Sequence, residues 1–345
     1  MATSTGTGSK KGIRERVGEA LPFTRRDWGL LLVLPGAVLF SAFMLYPIFY
    51  LFYISLTDAT FAGSVIGGGA ELIGLENYAQ LLTDSQFWTS MSITWAFVAV
   101  SLVIKVFVAV GIALLLNHAR VAGKRYMRAA AIVPLGFPAI FTITIWRGMF
   151  SDARFGVFNV TLSYYNSAMV GLFEALDAIV FFAAVSVPTA LLVDLPVGFL
   201  SGRWSAFFAY VTTEVWLAYP FMVIIIISAL QDVPRELHEA AMVDGAGQLQ
   251  RFFTVTLPAI KRPVLFASIL TAATSFQQFL IPWVFNQGGP SRQNELIIVY
   301  GYREAISFNE FGLSAAILIV AIAFIGLFMY IAVRYGRLAE GVADS

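Results

Sequence analysis

A carboxylate, an amide and two hydroxyls occur in this sequence where apolar residues are the rule. Glu214 lies within a long apolar run and, at helical spacing, shares a stripe with Leu217, Ala218 and Phe221. Thr271, Ser275 and Gln278 share a second stripe on a later run. An ionisable group in such a run costs at least about 2.5 to 3.5 kcal/mol to insert into hydrocarbon, so it usually faces a helix interior or a wet cavity. Together the two stripes offer polar partners to a polyol, with Phe221 and Trp283 as apolar faces. The competing reading is that Thr271 and Ser275 bond backbone carbonyls while Gln278 knits helices together. Lys105, central in another apolar run, reads as a helix-packing or snorkelling residue.

Other chemistries are poorly served. There is no cysteine and there are two histidines, which excludes thiolate sites and leaves little for an imidazole metal centre. Gly6, Gly8 and Lys10 suggest a phosphate loop only at a glance, because the GK[ST] ending and the preceding strand are missing. A net charge of +1, with no basic patch interleaved with aromatics outside short segments, argues against a nucleic-acid partner.

The most patterned stretch runs from Gln231 to Pro258. Asp232 ahead of Pro234 predicts a helix start, since proline is tolerated in a first turn and an acid suits the positive end of the helix dipole. Gly245 and Gly247 predict a stop and a turn. A second short helix at about 248–256 is expected to end near Pro258. Leu237, Ala240, Ala241 and Asp244 share one face, on which the small alanines allow close backbone approach.

These residues need elements to position them, and composition says which. With 59% apolar and 12% charged residues and a mean hydropathy of +0.78, the chain has too little polar surface to cover a soluble particle. A membrane-crossing helix needs about 20 apolar residues. Six stretches qualify, near 28–55, 90–117, 128–150, 205–230, 263–285 and 310–333. Pro35, Pro47, Pro134, Pro138, Pro220 and Pro282 fall in or at the ends of these spans and predict bends. The first run is too long for a cleaved signal and is expected to stay as an anchor.

Charge sets the orientation. Residues 56–87 carry Asp58, Glu71, Glu76 and Asp84 without Lys or Arg, whereas the next connection carries His118, Arg120, Lys124, Arg125 and Arg128. Residues 231–262 carry Arg235, Arg251, Lys261 and Arg262, and the tail carries Arg334 and Arg337. Basic segments stay on the cytoplasmic side, so both termini and the 231–262 connection are predicted inside. The fold class is an all-α polytopic membrane bundle of six transmembrane helices, N-in and C-in, with a cytoplasmic helix-turn-helix. Residues 1–27 form a cytoplasmic tail, 28–333 the membrane domain and 334–345 a second tail. Within residues 151–204, the apolar stretch from Ala178 to Val193 invites a seventh span, but parity forbids a single crossing. An external or interfacial helical insertion is expected, with a re-entrant hairpin as the alternative.

Glu239-Ala240-Ala241, then Gly245, then Val255-Thr-Leu257-Pro258 resembles the EAA loop of binding-protein-dependent ABC importer permeases, with Val255 where the family usually has isoleucine. Further motifs resemble the carbohydrate-uptake members: Leu45-Tyr46-Pro47, Ser55 to Asp58, Gly74 to Tyr78, Phe87-Trp88, Trp146-Arg147, Phe155-Gly156, Gly288-Gly289-Pro290 and Phe311-Gly312. Residues 161–204 fit less well, being longer than the family usually has there. The resemblance implies a permease subunit for a sugar or related polyol in a prokaryotic plasma membrane, working by alternating access and performing no catalysis. It implies that Glu239, Ala240, Ala241, Asp244, Gly245, Leu257 and Pro258 couple it to an ATP-binding subunit dimer, which holds ATP and Mg. It implies two more partners: a second permease, usually a different chain, and an extracellular substrate-binding protein. In carbohydrate members the mid-membrane sugar site lies on the helices flanking the loop, where Glu214 and Gln278 fall. An ion-coupled secondary transporter is the alternative, and would need intramembrane carboxylates or broken helices in repeated halves.

Overall fold

The computed structural model describes residues 25–60, 65, 69–118, 121–179 and 187–335. Most of the tail read at 1–27, Arg120, and residues 336–345 with Arg337 lie outside them. The chain divides into two compact units, Met1–Ile54 and Ser55–Ser345.

The first unit holds one long helix, α1 (Gly29–Ile54). Its turns widen once, at Ser41–Leu45, where the Tyr46 N–H reaches back to the Ser41 carbonyl. The cause is Pro47, which has no N–H for the Phe43 carbonyl and whose ring crowds it. Leu32, Phe43 and Phe49 are exposed. A helix this apolar on every side belongs against lipid or another chain.

The second unit contains α2 (Glu76–Thr83), α3 (Ser85–Asn117), α4 (Lys124–Ile132), α5 (Ala139–Met149), α6 (Val157–Ile179), α7 (Arg203–Gln231), α8 (Arg235–Val243), α9 (Gln248–Phe276), α10 (Leu280–Asn286), α11 (Ile297–Ile306) and α12 (Phe311–Tyr335). The N-cap of α3 is Asp84, whose side chain accepts from the Gln86 N–H at 2.8 Å. From there α3 passes through three apolar cores found among the described residues. Phe87 and Met91 join Tyr300, Leu313 and Ile317. Phe97 joins Phe150, Tyr210 and Phe285. Ala109, Ala113 and Leu116 join Met222, Val223 and Ala267. Alanines at these contacts let helix backbones approach closely, the main source of cohesion where lipid removes the hydrophobic drive.

Among the described residues five helices are long and apolar enough to cross a membrane, namely α1, α3, α7, α9 and α12. The span expected at 128–150 is different. Its first part, Lys124–Gly136, meets α5 at 96°. Phe137 is forced into an extended conformation, φ −105° and ψ 138°, because Pro138 follows it. The count reaches six when this bent pair is taken as one crossing. The span expected at 263–285 also differs, since α9 stops at Phe276 and α10 is a separate helix. Gln278 makes the break by turning its side-chain carbonyl to the Leu280 N–H at 3.1 Å.

In the long connection, α6 is followed from Val187 by irregular chain with a short 3-10 turn at Thr189–Leu191. The stretch from Ala178 to Val193 is therefore not one helix among the described residues. Two asparagines of α6 hold the returning chain. Asn166 exchanges two hydrogen bonds with the Val193 backbone at 2.7 and 3.0 Å. Asn159, which is buried, does the same with Val197 at 3.2 and 2.8 Å.

Candidate functional site

At one end of the bundle, α7 and α9 are joined through α8. Pro234 is the residue that caps α8, so the helix begins at Arg235, later than the Asp232 start expected from sequence. Proline here surrenders an N–H that a first turn leaves unpaired anyway. At the other end Gly245 takes φ +82°. Its N–H bonds to the Met242 carbonyl at 3.0 Å and that of Ala246 to the Ala241 carbonyl at 2.9 Å. This Schellman closure satisfies the last carbonyls and turns the chain.

None of the nine residues of α8 is buried. Glu239, Ala240 and Asp244 are exposed, Ala241 is half-buried, and Leu237 is 51% exposed. A cleft of about 480 Å³ lies beneath, lined by Asn117, Leu230, Gln231, His238, Glu239 and Met242. A nine-residue helix is marginal by itself, and an exposed apolar side on it requires a partner surface.

The second helix expected at 248–256 does not end near Pro258. It widens into a π-turn at Phe252–Thr256, where the Leu257 N–H reaches the Phe252 carbonyl, and continues as α9. Pro258 stands two residues beyond the end of that turn, as Pro47 stands two beyond the π-turn of α1. The exposed Leu257 and Pro258 thus lie on the same rod as Thr271 and Ser275.

Further along, α3, α7 and α9 meet at a buried ionic cluster. Lys105 Nζ lies 2.9 Å from Glu214 Oε1, with side-chain exposures of 0% and 5%. The ammonium also donates to Ser275 Oγ at 2.6 Å, and the Ser275 hydroxyl lies 2.7 Å from the same Glu214 oxygen. Glu214 Oε2 accepts from Gln278 Nε2 at 2.9 Å. Thr271 Oγ1 donates to the Ala267 carbonyl at 2.6 Å. Both charges are thereby matched, which a buried pair requires if desolvation is not to outweigh attraction.

The structure thus brings Glu214, Ser275 and Gln278 into contact and turns Thr271 to its own helix. Leu217 and Ala218 are half-buried beside them on α7, and Phe221 is 38% exposed. Lys105 does not snorkel. Sequence reasoning missed its partner, although the signal was present: a cation and an acid in otherwise apolar spans need each other.

A second network ties α3 to α11. Glu295, fully buried, accepts from Arg303 Nε at 2.6 Å, Arg292 Nε at 2.7 Å and Gln86 Nε2 at 3.1 Å. Arg292 also reaches Glu304 at 3.1 Å. Burial pushes the Glu304 carboxyl above its ordinary value, against the opposing pull of Arg292. Burial likewise raises the Tyr300 phenol, helped by its hydrogen bond to Asp84. Gly288, at φ +80°, lets the loop close, because a Cβ there would stand 2.7 Å from the Glu295 Cα. Among the described residues no group of three or more His, Asp or Glu could hold a metal ion.

The family model for the binding-protein-dependent transport system inner membrane component matches residues 26–336. The chain belongs to this family. It is the membrane-spanning permease component of an ABC importer, multi-pass in the plasma membrane, and ATP hydrolysis resides on a separate subunit. Among its relatives, the trehalose/maltose transport system permease protein MalF of Thermococcus litoralis is 29% identical over 318 residues, covering 92% of this chain and 96% of that protein. The sulfoquinovosyl glycerol transport system permease protein SmoG of Agrobacterium fabrum is 32% identical over 297 residues, 85% of each. The fold matches a chain of a bacterial ABC transporter involved in the import of alginate, with TM-score 0.71, 20% identity and coverage of 93% and 98%.

Proposed function

We propose that this permease subunit passes a sugar or related polyol by alternating access, with energy delivered at α8. The observation that carries the reading is α8 itself, an exposed helix bearing Glu239-Ala240-Ala241 and closed at Gly245, for which the bundle supplies no cover. Glu239, Ala240, Ala241, Asp244, Gly245, Leu257 and Pro258 form the contact with an ATP-binding subunit dimer that holds ATP and Mg. Both termini and this connection face the cytoplasm, and the 151–204 segment lies on the opposite side. A second, related permease completes the pore, and an extracellular binding protein delivers the solute. Relatives named for trehalose, maltose and sulfoquinovosyl glycerol support the sugar class.

The path runs past Glu214, Leu217, Ala218, Phe221, Thr271, Ser275 and Gln278. Because Glu214, Thr271 and Ser275 have their polar atoms engaged, they set the helices. Gln278 is engaged too, through Glu214 and the Leu280 N–H, so the half-buried Leu217 and Ala218 and the more exposed Phe221 are the ones that meet the sugar, with Gln278 exchanging its Glu214 bond for a sugar hydroxyl. Family membership leaves the ion-coupled alternative without support, and its needed carboxylate, Glu214, is neutralised by Lys105.

Reconstitution in proteoliposomes tests the reading. Uptake of a neutral oligosaccharide is expected only with the partner permease, the ATPase, the binding protein and ATP all present. Uptake driven by a proton or sodium gradient alone would overturn it.

A further inference from the structure

Beside the bend at Pro138, α4 carries Lys124, Arg125 and Arg128 within five residues and no acid. None of its residues is buried, and Tyr126 is 79% exposed and Met127 38%. None of the ion pairs among the described residues uses these three cations. Next to Arg128 opens a cavity of about 260 Å³ whose walls are Leu116, Ile132, Val223 and Ile227, with Ser228 and Gln231 as polar lining. Arg128 also lines it, and its Nε is shut off from solvent without an acceptor.

A buried donor left unmatched costs about 1 to 3 kcal/mol, more when it is charged. The site therefore asks for an anionic oxygen at Arg128 joined to an apolar chain that fills the cavity. A sugar, even an acidic one, does not supply the apolar chain. A phospholipid supplies both, and a guanidinium matches a phosphate with parallel hydrogen bonds. The setting agrees, because α4 opens a span with three cations and no acid on the side read as cytoplasmic, and basic pockets between helices on that side attract anionic lipid headgroups.

We propose that α4 and the cavity between it, α3 and α7 hold one anionic phospholipid, its phosphate on Arg128 and an acyl chain against Ile132 and Val223. This rests on the membrane reading of the bundle but not on the identity of the solute. The site borders Gln231, where α7 hands over to the α8 connection, so a bound lipid braces that junction.

The test uses the full-length chain in its purified importer, exchanged into detergent with phosphatidylglycerol or phosphatidylcholine of identical acyl chains. Native mass spectrometry then counts the lipid retained. The wild type is expected to keep phosphatidylglycerol at least about fivefold over phosphatidylcholine. Arg128→Ala brings retention down to the phosphatidylcholine level, and Ile132→Trp, which fills the cavity and leaves every charge, lowers retention of both. Excess inorganic phosphate leaves the bound lipid in place. Equal retention of the two lipids, no change in either variant, or displacement by phosphate would overturn the proposal. So would a photo-crosslinker at position 132 that labels another importer subunit instead of lipid. Absence of sugar transport with the lipid preference intact would sink the solute assignment alone.

Discussion

Lys105 on α3 and Glu214 on α7 form a 2.9 Å ion pair out of reach of solvent, and Ser275 on α9 bonds to both. Removing one member of a buried pair leaves a bare charge and destabilises by about 3 to 5 kcal/mol, whereas removing both charges with shape kept is often neutral. Lys105→Met and Glu214→Gln are each expected to lower the melting temperature of the purified chain and abolish uptake. The double variant should regain most of the stability. A double variant no more stable than either single one would show that the two residues do not act as a pair.

At the other end of α9, Gly245 holds φ +82° with open space around its missing Cβ. The obstacle to substitution is conformational and not steric. Gly245→Ala should cost about 1 kcal/mol in the turn, and a β-branched Gly245→Val more. Glu239→Lys reverses a charge on an exposed residue at the rim of the cleft and should leave membrane insertion unchanged. In reconstituted importer, Glu239→Lys and Gly245→Val are expected to lose sugar-stimulated ATP hydrolysis and uptake by an order of magnitude or more. Wild-type uptake by both would remove α8 from the energy path.

Gly312 presents the opposite case. A Cβ there would stand 2.1 Å from the Thr57 carbonyl oxygen and 3.0 Å from Asn77 Nδ2. Asn77 itself bonds the Ser55 and Thr57 carbonyls at 2.9 and 2.8 Å. The obstruction is backbone, which cannot step aside, so Gly312→Ala should destabilise by about 1 to 3 kcal/mol. Detergent-denaturation midpoints measure this, and Gly326→Ala, with nothing within 4 Å, serves as the neutral comparison.

The raised carboxyl of Glu304 carries a pH signature. An acid whose folded value lies above its unfolded one binds more protons when folded, so stability falls as pH rises through that window. Acidification from neutral pH toward the ordinary carboxylate range should therefore favour the α11 region, and Glu304→Gln should flatten this dependence. Arg292→Ala removes the opposing charge and should steepen it. Melting temperature against pH for the three proteins reads the sign directly, and a slope of opposite sign in the wild type would refute the role given to burial.

Local chemistry made much of this legible. The α8 turn could be read because Pro234 and Gly245 punctuate it within one short window, and the long spans because a run of apolar residues has few other uses. What stayed hidden was set elsewhere. The 96° bend required knowing that Pro138, among six prolines in spans, was the one to force its predecessor out of the helix. The π-turn before Pro258 concealed the continuity of α9, since proline there reads as a stop. Lys105 and Glu214 are 109 residues apart, so only the cost of isolated charge in hydrocarbon pointed from one to the other. The Arg292, Glu295 and Arg303 network gave no such sign, because charges near a span end are ordinary.

That continuity gives α9 a mechanical meaning. A helix of 29 residues is about 44 Å long. Pivoted at its foot near Gly247, a tilt of about 5° sweeps its far end, next to Gln278, through roughly 4 Å. Under the proposed coupling the helix is a lever arm, and its length fixes the gearing between a small displacement at the Gly245–Gly247 turn and a larger one beside Gln278. Shortening or softening it, rather than changing any contact at either end, would detune the stroke.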